Sequence, residues 1–270
     1  MSDGQLSSER TAYLAHRKRR AVTIRLLRIA VLVVFLAQWE ITARLGLVDM
    51  FVVSAPSRIL TTLSGLLRSG ALWVHLGASC MEMIVGFVLG TLLGVLIAVA
   101  LWWSDTLSSV LEPYLVVLNA LPKTALGPIF IVWIGAGTES IIAMTVAISV
   151  FVTILNMFVA FCATDPEKVR LMQTFGASRR QTLRVLVIPA NYPALFNTLR
   201  VNVGLAWVGV IMGEFLVSKA GLGYLIVYGS QVFNMDLVMA SVLLLAIAAV
   251  GMYEAVLFLE RLVKQKMGVN

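Results

Sequence analysis

Side chains able to do chemistry are scarce in this sequence, and their spacing excludes most of it. The two histidines stand apart, His16 in a basic run and His75 alone beside an apolar segment. Hydrolytic and metal chemistry need convergent groups, such as a nucleophile beside a base or two histidines one helical turn apart. The chain has no HExxH, no Ser–His pairing, no paired carboxylates and no GxxxxGK[ST] phosphate loop. Catalysis and a resident metal or cofactor are therefore not expected. Cys80 and Cys162 fall in apolar segments without a CxxC or a Cys/His cluster, and read as buried free thiols acting as small hydrophobes.

What stands out instead is a cationic stretch, "TFGASRRQTLRVLVIPANYP" at 174–193, between two very apolar segments. Just before it, Thr164 or Asp165 can cap a helix, with Pro166 and Glu167 in its first turn. Val169, Leu171, Met172 and Phe175 give that short helix an apolar side, and Gly176 is placed to end it in the left-handed conformation. Ser178 with Gln181 forms a capping box that starts a second helix running to Pro189. On this helix Leu183, Leu186 and Val187 share a face, while Arg180 and Arg184 sit one turn apart on another. The residues alone leave two roles open for such a helix–glycine–helix pair, lying on anionic headgroups or docking a partner protein.

The elements that carry this pair are membrane-spanning. The 270 residues are 60% hydrophobic and 13% charged, with a mean hydropathy of +0.93. Soluble domains carry about a quarter charged residues, and about 20 apolar residues in a helix cross a bilayer core. Spans are expected near 24–43, 75–101, 108–134, 138–161, 190–217 and 238–262, an all-α polytopic architecture of about six transmembrane helices. The first is read as a retained span rather than a cleaved leader, flanked by Arg28 and Arg44. The longest connection, 44–74, reads as a turn followed by an amphipathic helix on the outer surface, "SAPSRILTTLSGLL".

The net charge of +7 follows topology rather than nucleic acid. With the N-terminus inside, fifteen Lys and Arg residues fall on the cytoplasmic side, at 10–28, 168–184 and 261–266. Only Arg44, Arg58, Arg68 and Lys219 fall outside. The organisation is then a basic tail over 1–28, one membrane domain over 29–262 with the helix pair at 164–189, and a tail over 263–270.

Within the spans, Gly86, Gly90 and Gly94 clear one helix face for a neighbouring backbone, and Gly209 and Gly213 repeat the pattern. The third span is interrupted by "LNALPKTALGP", where Pro122 removes a donor and Gly127-Pro128 follow. A break of this kind either lines a transport path, with Asn119, Pro122 and Lys123 on it, or is a packing kink with Lys123 snorkelling outward. Other ionisable residues in spans are few, Glu82, Arg200 and Glu214. That scarcity weighs against an ion-gradient-driven secondary transporter or channel, the main alternative class.

The spacing from Gly176 to Leu186-Val187-Ile188-Pro189, with Pro193 and Leu199-Arg200 beyond, resembles the cytoplasmic signature of ATP-binding cassette (ABC) importer permeases. Three more segments, in the same order as in that family, extend the resemblance to the nitrate, sulfonate and taurine group. They are "WEITARLGLVDMFVVSAPSRI", "LNALPKTALGPIFIVWIGAGTES" and "AWVGVIMGEFLVSKAGLGYLI" with Glu214 and Gly221-Leu222-Gly223. Arg170-Leu171-Met172 stands where that family usually carries Glu-Ala-Ala.

The resemblance implies a type I ABC importer permease fold in a bacterial inner membrane, with both termini cytoplasmic. It implies a permease dimer, a separate ATPase that binds ATP and Mg²⁺, and an extracytoplasmic substrate-binding protein. The helix pair would be the coupling element, with Arg170, Leu171, Met172, Gly176, Ala177, Ser178 and Arg179 meeting the ATPase. The cargo would be a small oxyanion, a sulfonate or a vitamin-like heterocycle.

Overall fold

The computed structural model describes residues 8–47, 49 and 53–267, and the described residues divide into two units between Thr62 and Leu63. Among them the only regular structure is helical.

In the first unit, α1 (Ser8–Arg44) is one continuous helix, so the basic tail and the first apolar segment form a single element. Its apolar stretch Val22–Arg44 is long enough to cross a membrane and buries none of its most apolar window. Near its end, Glu40 accepts from Arg44 Nε at 2.6 Å, Ser57 N at 3.0 Å and Ser57 Oγ at 2.7 Å. Ser57 lies in the first turn of α2 (Pro56–Arg68), so the Glu40 carboxylate takes an N–H that the helix cannot satisfy itself. This is the amphipathic helix expected within 44–74.

The second unit is built on α3 (Ala71–Trp103), α6 (Thr138–Cys162) and α9 (Tyr192–Val217). Gly86, Gly90 and Gly94 of α3 face Thr145, Ser149 and Thr153 of α6 so closely that a Cβ on any of the three would collide. From the other side, a Cβ on Gly209 of α9 would lie 2.7 Å from Thr145 Cα, and one on Gly213 would lie 3.0 Å from Ile141 Cα. The glycine stripes therefore clamp α6 between its two neighbours, and small residues set the helix spacing. The hydroxyls of these three α6 residues donate to the carbonyl four residues back, at 2.9 Å for Thr145 and Ser149 and 2.8 Å for Thr153. Asn202 of α9 adds a bond to Thr153 Oγ1 at 2.7 Å. Half of the most apolar window is buried in α6 and in α9, against 6% in α11 (Met235–Met267).

The third expected span is not one helix. It consists of α4 (Asp105–Ala120), a 3₁₀ turn Lys123–Leu126 and α5 (Gly127–Ile134), bent by 89° at Leu121-Pro122. Among the described residues five helices are long and apolar enough to cross a membrane, six if this bent pair counts as one span. Two short helices, α7 (Pro166–Thr174) and α8 (179–190), join α6 to α9, and α10 (Leu222–Gln231) precedes α11.

Candidate functional site

The helix pair at 166–190 is held by caps that local sequence dictates. Asp165 supplies the first: its Oδ1 accepts the Glu167 N–H at 3.0 Å, with Pro166 in the first turn where its missing donor costs nothing. Thr164, the other candidate cap, instead accepts Asn191 Nδ2 at 2.8 Å. α7 ends in a Schellman motif: Ala177 N–H reaches Met172 O at 3.0 Å and Gly176 N–H reaches Gln173 O at 2.9 Å. Gly176 has φ +74°, a conformation that costs an L-residue about 1–2 kcal/mol. Ser178 and Gln181 form the expected capping box at the start of α8.

α8 departs from a plain α-helix. Arg179–Thr182 passes into a π turn, Leu183–Val187, and then into Ile188–Ala190. Pro189 explains the departure. It has no N–H for the Val185 carbonyl, and the preceding Ile188 N–H reaches back five residues to Leu183 O. The turn still delivers Leu183 and Val187 to one side, where they are buried with Ala98 of α3 and Met157 and Phe161 of α6.

Polar contacts fix the pair to three bundle helices. Arg179 donates to Trp102 O at 2.9 Å and meets Asp105 Oδ1 at 3.3 Å, with its guanidinium 5.4 Å from the centre of the Trp102 ring. The cation thus caps a carbonyl at the C-terminus of α3, a favourable position, and pairs with the Asp105 carboxylate that opens α4. Asn191, at the start of α9, bonds Thr164 and also Val187 O at 2.9 Å, tying the two ends of the pair together. A cleft of about 470 Å³ lies behind it, lined by Trp102, Asp105, Cys162, Gln173, Ala177 and Arg179 among others. Cys162 is exposed, contrary to the expected burial, because it is the last residue of α6 as the chain leaves the bundle; Cys80 is half-buried.

The outer side is different. Leu171 is 54% and Phe175 79% exposed, Met172 is half-buried, and Arg170, Arg180 and Arg184 are exposed around them. Gly176 and Ser178 are exposed at the elbow. All seven residues expected to dock a partner therefore lie along one hairpin, with Arg179 also serving as an internal anchor. Asn191, Trp102 and Asp105 were not foreseen as parts of this site, and no local pattern marks them.

Asn119, Pro122 and Lys123 meet at the bend between α4 and α5. Lys123 Nζ donates to Asn119 O at 2.7 Å and Oδ1 at 3.2 Å, so the cation caps a backbone carbonyl at the end of α4, where the proline break stops the helix. Arg200 pairs with Glu260 of α11, which also accepts Lys264 Nζ at 2.9 Å. Glu82 and Glu214 are buried together at the end of the bundle opposite the helix pair.

Comparison with known proteins places this architecture. The profile of the family described as "Binding-protein-dependent transport system inner membrane component" matches residues 90–269. The "Probable ABC transporter permease protein" of Haemophilus influenzae is 32% identical over 231 residues, covering 85% of this chain and 94% of the relative. The formylaminopyrimidine transport permease protein of Halalkalibacterium halodurans is 31% identical over 186 residues, 69% of this chain and 74% of the relative. The permease-type fold also matches the MetNI methionine ABC transporter in inward-facing form, with TM-score 0.61 at 18% identity over 73% of this chain and 95% of that one. With a match over more than half its length and a bundle of that fold, the chain belongs to the family of binding-protein-dependent transport system inner-membrane components, the permease subunits of ABC importers.

Proposed function

We propose that this permease is driven by a separate ATPase subunit that seats the 166–190 helix pair and supplies the ATP and Mg²⁺ site. Two copies of the chain form the pore in the lipid bilayer, and an extracytoplasmic binding protein delivers the solute at the opposite end. One observation carries this reading: the pair is two-faced. Its inner face is fixed to α3, α6 and α9, while Leu171 and Phe175 project outward among arginines. A partner that grips those projections moves the ends of three core helices together. Alternating access then follows as a two-state equilibrium biased by nucleotide on one side and loaded binding protein on the other.

The membrane domain covers 29–262 with cytoplasmic tails on both sides. Charge supports this orientation, since fifteen Lys and Arg residues fall on the side of 168–184 and 261–266 against Arg44, Arg58, Arg68 and Lys219 on the other. The bend at Asn119, Pro122 and Lys123 borders the path, where broken helices commonly line transport sites. The cargo is a small solute of the oxyanion, sulfonate or vitamin-like heterocycle class, in keeping with a relative named for formylaminopyrimidine transport.

Gly176→Val tests the docking. A Cβ at Gly176 would meet nothing within 4 Å, so the substitution acts only through the backbone. The variant chain is expected to insert and fold but to lose ATP-driven uptake at least tenfold when reconstituted with its ATPase and binding protein. Normal uptake would contradict the docking reading.

A further inference from the structure

The end of the bundle remote from the helix pair holds two acids that ATP-driven transport does not call for. Glu82 of α3 is 3% exposed and Glu214 of α9 is 2% exposed. Glu214 is ringed by donors. Ser79 Oγ lies 2.5 Å from its Oε1 and Gly223 N 2.5 Å from its Oε2. Ser79 accepts the Leu222 N–H at 2.8 Å, which leaves its own hydroxyl proton for Glu214. Gly221, at φ +123°, lets the turn before α10 fold directly over this carboxyl, where any Cβ would strike it. Such a set of donors fits an ionised carboxylate, which only accepts.

Glu82 approaches from α3. Its carboxyl stands one helical turn from Ser79, which bonds Glu214, so the two buried acids face each other, and its Oε2 has no partner among the described residues. Two ionised carboxylates cannot bond each other, because neither carries a hydrogen, and two charges buried this close cannot both persist.

Among the described residues the elements packed here offer no buried cation in place of a proton; α2, whose Leu63 and Leu66 pack with Ile211 and Leu222, carries its arginines exposed. On α3, His75 accepts the Gly221 N–H at Nδ1, 3.0 Å away, so its ring proton sits on Nε2 and it is neutral. Cys80 on the same helix and Tyr224 on α10 bring no positive charge, and the first turn of α6 brings the acidic Glu139. The α11 residues in or against the apolar cluster that contains Met83 (Leu245, Ala248, Ala249, Met252 and Val256) are uncharged. Lys219 stands exposed on the wall of a cavity of about 290 Å³ that Glu82 also lines.

We propose that Glu82 and Glu214 form a one-proton site, in which Glu82 carries the proton and donates it to Glu214. The ligand is the proton itself, and the cavity lined by Glu82, Thr138, Val217 and Lys219 is its way in. While occupied, the site joins α3 to the end of α9 and the turn before α10. Emptied, it leaves two adjacent buried negative charges that push α3 and α9 apart at this end. The inference does not rest on the ATPase reading.

The test is infrared spectroscopy of the purified full-length chain in lipid nanodiscs, titrated with pH alongside thermal melting. The wild type should show the carbonyl stretch of a protonated carboxylic acid at neutral pH. That band should disappear on alkalinisation in step with a fall in Tm. Glu82→Gln, a neutral donor of the same shape, should abolish the band and make Tm insensitive to pH over that range. Ser79→Ala removes a donor that favours the ionised Glu214, so the band should persist to higher pH. A wild type without the band at neutral pH, or a band and a pH-dependent melt unchanged in Glu82→Gln, overturns the site. Should Glu82→Gln fail to fold, Ser79→Ala decides alone: lower stability with an unmoved titration of the band refutes the proposal.

Discussion

Arg200 and Glu260 show what a charge inside an apolar bundle requires. Glu260 is 6% exposed and is met by Arg200 from α9 and by Lys264 from one turn along α11. Removing one partner of a buried pair strands the other, at a cost of about 3–5 kcal/mol. Arg200 retains 30% side-chain exposure and Lys264 still reaches Glu260, which puts Arg200→Ala near the low end, about 3 kcal/mol. Thermal melting in detergent should show this loss for Arg200→Ala and recover most of it in Arg200→Met/Glu260→Leu, where only the half-exposed Lys264 loses a partner and no buried charge is stranded. A double variant as unstable as the single one would mean that the pair does more than satisfy itself. Arg200, Glu82 and Glu214 were recognisable in the sequence only as isolated ionisable residues in apolar runs. Their partners lie far along the chain, Glu260 60 residues from Arg200 and Ser79 135 residues from Glu214, and no local periodicity reports such pairings. For the same reason the two acids did not read as paired carboxylates.

Elements were more legible, because caps and glycines act within a turn or two of chain. The Asp165-Pro166 start of α7, the Gly176 stop and the Ser178–Gln181 box all follow from neighbouring residues. The π turn at Leu183–Val187 did not, since apolar periodicity alone cannot distinguish a four-residue from a five-residue return. The proline break between α4 and α5 was visible, but its 89° angle depends on packing such as that of Gly127 against Met144 and Leu216. The glycine stripe of α3 gives an element-scale prediction. A Cβ at Gly90 would run into Ser149 Oγ and lie 3.3 Å from Ser149 Cβ, whereas one at Gly204 meets nothing within 4 Å. Gly90→Ala should therefore destabilise the bundle by about 1–3 kcal/mol as overpacking does. Gly204→Ala should be neutral or slightly stabilising, through helix propensity. Equal melting temperatures for the two variants would show that α3 and α6 do not rely on close backbone approach.

At the scale of the whole molecule, the central helices α6 and α9 of the second unit bury half of their most apolar windows while α11 leaves its own almost bare. That gradient runs from buried central helices to a bare outer one, and the charged side chains of this unit gather towards its two ends. At one end the 166–190 pair is fixed to α3, α6 and α9, and at the other the Glu82–Glu214 site joins α3 to α9. Force applied to the pair therefore reaches helices that also meet at the opposite end. Solute uptake into proteoliposomes tests this account most directly, using the chain reconstituted with and without its ATPase and binding protein. The account predicts uptake only when ATP and both partners are present, unaffected by a protonophore and abolished by Gly176→Val; uptake by this chain alone, driven by an ion gradient, would contradict it.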